Sequence, residues 1–213
     1  MKKIFLTLFV MMISFTAFAQ GNYEKVMKEK IAKLEVCKTP DEFTALSNDF
    51  KRIAEKEKDK WQPYYYASFA LIQQGRFLMR DNKIADAEAP ANEALKLTDT
   101  ASKLSKDNAE IHILNKMANS LLMMKDPMTR YMTYGQTAAQ ELDTAEKLDS
   151  ENPRITLLKG EDLYFTPEQY GGSKEKGLEM IKKSIEQFGT YKPKTELDPN
   201  WGKQEAEFMS KMK

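Results

Sequence analysis

The sequence predicts an all-α protein, a right-handed superhelical stack of antiparallel helix pairs with about nine helices, and three observations carry that prediction. Apolar residues recur at helical spacing from one end of the chain to the other. Alternating apolar and polar runs rich in β-branched residues, the mark of strands, are nearly absent. A ten-residue segment also returns 44 positions later with six identities.

The helices can be taken in order. Tyr23, Val26, Met27, Ile31 and Leu34 set the apolar stripe of a first helix from Asn22 to about Cys37. Thr39-Pro40-Asp41-Glu42 starts the second, with Thr39 as cap, Pro40 at the first helical position and Glu42 at capping-box spacing. Phe43, Leu46, Phe50 and Ile53 are its buried stripe, and it ends near Lys58. The third, from Pro63 to about Arg80, is apolar on nearly all sides, which predicts a helix sandwiched between neighbours. A fourth spans Lys83 to Leu104, with Pro90 placed to kink it or split off its first turn. Asp107 or Asn108 caps a fifth that stops at Lys125-Asp126-Pro127. The sixth runs from Pro127 to Leu148, the seventh from Pro153 to Phe165, and the eighth from Lys174 to Phe188 after a Gly171-Gly172 turn. Pro199 is expected to open a short ninth.

The echo pairs residues 99–108 with residues 143–152, and Ile111 and Leu114 continue it onto Ile155 and Leu158. Both copies fall where one helix ends and the next begins. Two helices alone cannot bury both apolar faces, so copies of such a pair stack and share a core. Junctions before Pro63 and Pro199 suggest further copies, each at an offset of 46, from Ala109 and Pro153 respectively. This spacing exceeds the roughly 34 residues of tetratricopeptide repeats and overlaps the HEAT and armadillo range. The junction Leu148-Asp149-Ser150-Glu151-Asn152-Pro153, with Gly160 at the small-residue position, nonetheless resembles the tetratricopeptide repeat.

A narrower resemblance covers the C-terminal third, through Asn152-Pro153-Arg154, Leu158-Lys159-Gly160, residues 165–172 and Trp201-Gly202-Lys203-Gln204-Glu205-Ala206. This part is similar to tetratricopeptide-like proteins of bacterial envelopes, among them the T component of TRAP-type periplasmic transport systems. The resemblance implies an extracytoplasmic accessory or binding protein and assigns no catalytic residue.

Residues 1–19 read as a cleavable signal peptide: Lys2-Lys3, an apolar run from Ile4 to Phe18, and Ala17-Phe18-Ala19 as the small-residue site, with cleavage after Ala19. Residues 20–213 then form a single helical-repeat domain, periplasmic or secreted, with no membrane anchor after cleavage. No cysteine follows the cleavage site to carry a lipid; Cys37 lies well inside the chain and has no partner for a disulfide. Loss of Lys2 and Lys3 takes the formal charge from +1 to −1. That balance argues against a generic nucleic-acid binder or a polybasic membrane-surface protein.

Little in the chain points to catalysis. His112 is the only histidine, and neither a Cys-x-x-Cys pair nor a Gly-x-Ser-x-Gly elbow occurs. Gly171-Gly172-Ser173-Lys174 lacks the spacing of a phosphate loop, and the acidic residues near Asp149 lack that of a calcium loop. No cofactor, metal site or enzymatic activity is expected. Met117, Met123, Met124, Met128 and Met132 crowd one turn, and core filling is favoured there over a soft binding surface or a copper site.

Binding is expected on the first helix of each pair. In the last full repeat the groove positions are Arg154, Leu157, Glu161 and Tyr164. Carried back by 44 they become Glu110, Ile113, Met117 and Ser120, and by a further 46, Tyr64, Ala67, Leu71 and Gln74. The candidate site is therefore Tyr64, Leu71, Gln74, Glu110, Met117, Arg154, Glu161 and Tyr164, with Arg154 as a carboxylate partner. In a short array, the same side chains could equally pack against the terminal helices. The favoured function is a non-catalytic periplasmic scaffold for a protein or peptide partner. The alternative is a small-molecule carrier or an accessory subunit of a transporter. An enclosed cavity near Tyr64, Met117 and Tyr164 would mark the carrier, and an open trough would count against it. Arg154→Glu is expected to abolish partner capture without changing the fold.

Overall fold

The structure, a computed structural model, describes residues 21–212. The expected signal peptide lies outside them. Capping chemistry sets most of the helix starts. Helix α1 covers residues 21–34. Helix α2, Pro40–Lys56, opens on the predicted capping box, in which the Thr39 side chain accepts from the Glu42 amide and the Glu42 carboxylate accepts from the Thr39 amide. Helix α3, Gln62–Arg80, buries residues around most of its circumference, as its composition predicts.

A short 3-10 turn, Ile84–Ala87, precedes α4, Glu88–Leu104. Pro90 thus sits in the first turn of α4, where the missing N–H breaks no helical bond. Asn108 caps α5, Ala109–Met124, and Asn152 caps α8, Pro153–Phe165, each accepting from the amide two residues on. That common cap explains why Asn is kept in both copies of the echo. Between them, the predicted sixth helix is divided into α6, Pro127–Arg130, a π-helical turn, Tyr131–Gly135, and α7, Gln136–Leu148. Ser173 caps α9, Lys174–Thr190.

The C-terminal helix differs from expectation. Pro199 lies in irregular chain, and α10 spans Lys203–Met209 after Gly202, whose φ of 109° favours glycine. The run 191–202 is therefore an irregular connection with a turn at 195–198, and the supposed equivalence of Pro199 with Pro153 fails. With residues 127–148 counted as one helix, the described residues hold nine α-helices and no strand.

Hydrogen bonds between neighbouring helices establish the stacking register. The Ser47 hydroxyl donates to the Ala67 carbonyl and the Ser68 hydroxyl to the Ala94 carbonyl, stitching α2 to α3 and α3 to α4. Helices α3, α5 and α8 run parallel: Tyr65 meets Glu110, Glu110 meets Arg154 and Lys116 meets Asp162, at sequence separations of 45, 44 and 46. The sequence echo is thus a spatial repeat. Gly160 lies where α8 and α9 touch: a Cβ there would come within 3.0 Å of the Gly177 carbonyl and 2.8 Å of Ile181. The small residue is required by backbone contact.

Most of the core is one cluster running from Met27 on α1 through Phe50, Tyr66, Ile72, Ile113, Leu114 and Leu122 to Ile155 and Leu158 on α8. A second cluster, Leu157, Ile181, Ala206 and Met209, joins α8, α9 and α10.

Candidate functional site

The predicted groove positions do lie along the first helices of the pairs, but the chain's own C-terminal run covers them. Trp201 stacks on Phe69 with ring centroids 4.6 Å apart, and its Nε1 donates to the Tyr65 hydroxyl at 2.8 Å. The Tyr66 hydroxyl donates to the Leu197 carbonyl at 3.0 Å and Gln62 donates to Asp198 at 3.3 Å. Arg76 grips the Glu205 carboxylate through both terminal nitrogens. Residues 197–205 therefore occupy the face on which an open groove or an enclosed pocket was expected.

Arg154 is 0% exposed. Its Nε donates to Glu110 Oε2 at 3.0 Å, its Nη2 also bonds Glu110, and its Nη1 donates to the Trp201 carbonyl at 3.4 Å. The guanidinium plane faces the Tyr191 and Trp201 rings at 5.0 and 5.6 Å. Its hydrogen bonds are thus made inside the chain, and it has no free edge for a partner's carboxylate. Glu110 also accepts from Tyr65 at 3.3 Å and from Asn152 at 2.6 Å. Burial raises the Tyr65 hydroxyl well above its ordinary range, and Glu110 adds to this. The same two causes, with Asp149, push Tyr191 up to about 12. Tyr65, one residue beyond the predicted Tyr64, is the position that aligns with Glu110.

Of the other predicted positions, Leu71, Met117 and Tyr164 are buried, while Tyr64 and Gln74 are partly covered. Glu161 sits 3.6 Å from Arg76, with Oε1 buried and without a hydrogen-bond partner. Its carboxyl is held up at about 7: burial raises it most, Glu205 and Asp162 add to the rise, and Arg76 and Lys116 oppose it. His112, on α5, has Nδ1 2.6 Å from the Glu141 carboxylate on α7. Among the described residues, no group of His, Cys, Asp or Glu could hold a metal ion.

A recess of about 210 Å³ opens between the repeat junctions, lined by Lys106, Asp107, Asp149, Lys194 and Asp198 among others. It is smaller than typical small-molecule pockets, and its lining mixes these charges with Trp61, Leu148, Tyr191 and Pro199.

The methionine turn departs from the core-filling expectation. Met117 is buried, but Met128 and Met132 are 78% and 66% exposed, with Tyr131 between them at 58%. Met128 lies three residues before Tyr131 and four before Met132, while Tyr131 and Met132, adjacent in sequence, do not face each other. Their exposure was not legible from composition, because the same pattern describes a buried stripe.

No family model and no curated protein sequence matches the chain, so the tetratricopeptide and TRAP-component resemblances rest on the quoted residues alone. Among solved structures, the fold is similar to that of the HusA haemophore from Porphyromonas gingivalis, with a TM-score of 0.76 and 31% sequence identity. The match covers 88% of this chain and 90% of that one. At that identity and coverage, this chain belongs to the family of the HusA haemophore.

Proposed function

We propose that this protein is an exported, non-catalytic carrier of haem or a closely related tetrapyrrole, one helical domain over residues 20–213 released from a leader over residues 1–19. The observation that carries this reading is the likeness to a haemophore in both sequence and fold across nearly the whole chain. Of the two functions the sequence left open, the carrier is therefore preferred to the peptide scaffold. The coverage of the first-helix face by Trp201 and α10 points the same way, since a scaffold would present that face to its partner. No helix among the described residues is long and apolar enough to cross a membrane. A receptor or transporter that takes over the cargo is the expected partner.

Titration of hemin into the full-length mature chain tests the proposal. Saturable binding should shift the Soret band and quench the fluorescence of Trp61 and Trp201. A hemin spectrum identical with and without excess protein, together with unchanged fluorescence, refutes the carrier reading.

A further inference from the structure

We infer that the carrier's ligand binds the face of α3 now covered by a C-terminal strap, residues 197–205, stacking on Phe69 where Trp201 lies and giving a carboxylate to Arg76 in place of Glu205. This site rests on the carrier reading and gives it a location and a gate.

The strap offers α3 the chemistry of a planar aromatic acid. The Trp201 ring lies 4.6 Å from the Phe69 ring and 21° from its plane, and the Tyr65 ring, 17° from that of Phe69, continues the wall. Seven residues along α3 from Phe69, Arg76 holds the Glu205 carboxylate through both terminal nitrogens, with Nη1 donating at 3.1 Å. Phe69 and Arg76 are therefore two turns apart on one side of the helix, roughly 10 Å. That is about the reach from the middle of a tetrapyrrole to the end of a propionate arm. A two-pronged arginine clamp fits any carboxylate. A tetrapyrrole thus repeats both contacts, with more aromatic surface than a single indole supplies.

The strap is held by contacts that a ligand can exchange. Among the described residues it makes no backbone–backbone hydrogen bond to α3 or α8: the Asp198 amide donates to Thr195, and the Ala206 amide to Gly202. Its hydrogen bonds to those helices come from the side chains of Gln62, Tyr65, Tyr66, Arg76 and Arg154. Firmer anchorage lies farther on, where Ala206 and Met209 pack with Leu157 and Ile181. Gly202, at φ 109°, joins the two parts and serves as the hinge on which Trp201 lifts while α10 keeps its apolar seat. The Glu205 side chain is 28% exposed and leaves Arg76 by a change of rotamer.

Lifting the strap does not strand Arg76. Glu161 on α8 already lies 3.6 Å from it, with Oε1 lacking a hydrogen bond. Lys116 on α5 and Asp162 on α8 pair with each other at 2.7 Å. Burial holds the Glu161 carboxyl toward its neutral form, so the balance left by Arg76 favours an incoming carboxylate.

A ligand that must open the strap binds with an affinity reduced by the closed fraction. Loosening the strap should therefore tighten binding, a direction that a merely structural contact does not produce. Hemin titrated into the full mature chain and followed at the Soret band tests this. Glu205→Gln should bind hemin about threefold or more tighter than wild type, and Trp201→Ala should move the same way. Arg76→Gln breaks the same ion pair from the other side and should bind about tenfold or more weaker than Glu205→Gln. Circular dichroism should show all three variants helical. Glu205→Gln and Trp201→Ala that bind hemin no tighter than wild type, or Arg76→Gln that matches Glu205→Gln, overturn this site and leave the carrier reading standing. A wild-type chain and strap variants that all fail to bind hemin overturn both.

Discussion

Glu110 receives hydrogen bonds from Tyr65, Asn152 and Arg154, three side chains from α3, the α8 cap and α8. Removing an ion pair from water costs free energy that only close geometry and full hydrogen bonding offset, so losing one partner costs more than losing both. Arg154→Glu would set two buried carboxylates side by side. It should lower unfolding stability by 3–5 kcal/mol or more, on the order expected for breaking a buried pair, as measured by urea denaturation. Replacing Arg154 with Met and Glu110 with Leu together should recover most of that loss. The sequence-based expectation for Arg154→Glu, lost binding with an intact fold, is thereby reversed. Residue spacing identified Glu110 and Arg154 as equivalent positions on one face. It could not show that they face each other, because which chain segment covers a face depends on contacts distant in sequence.

Among the elements, those with local signals were legible. The capping box at Thr39, the Asn caps of α5 and α8, and Ser173 before α9 all follow from a few adjacent residues. The C-terminal run was misread because its order comes from tertiary contacts. Trp201 reaches Phe69 and Tyr65, more than 130 residues away in sequence. The π-turn was missed for a related reason: its register slips by one residue at Gly135, which a period-of-3.6 reading absorbs into one long helix. Trp201→Ala would remove a stacked ring and the donor to the Tyr65 hydroxyl. A cost of about 3 kcal/mol, typical of truncating a large aromatic, should lower the melting temperature by roughly 5–10 °C in differential scanning calorimetry. A melting temperature within a degree of wild type would mean that the C-terminal run only rests on the first-helix face.

At the scale of the molecule, the two apolar clusters meet in α8, which gives Ile155 and Leu158 to the larger and Leu157 to the smaller. Repeat stacks tend to open in contiguous units, with stability set by the interfaces between neighbours. The unit of α8, α9 and α10 is tied to the rest partly through Arg76 on α3, which lies between Glu161 on α8 and Glu205 on α10. Two carboxylates compete for one guanidinium there, with Lys116 and Asp162 nearby. The Glu161 carboxyl, raised to about 7, prefers its protonated form in the fold. Between roughly pH 4.5 and 7 the native state therefore binds more protons than the unfolded chain, and stability falls as pH rises through that window. The full effect is on the order of 3 kcal/mol. Amide hydrogen exchange, corrected for intrinsic rates, should show residues 153–212 losing protection between pH 5 and pH 8 while α3 and α5 keep theirs. Glu161→Gln should flatten that dependence, because a neutral side chain at this position no longer titrates. Protection that falls equally in both variants would place the pH-sensitive contact elsewhere in the stack.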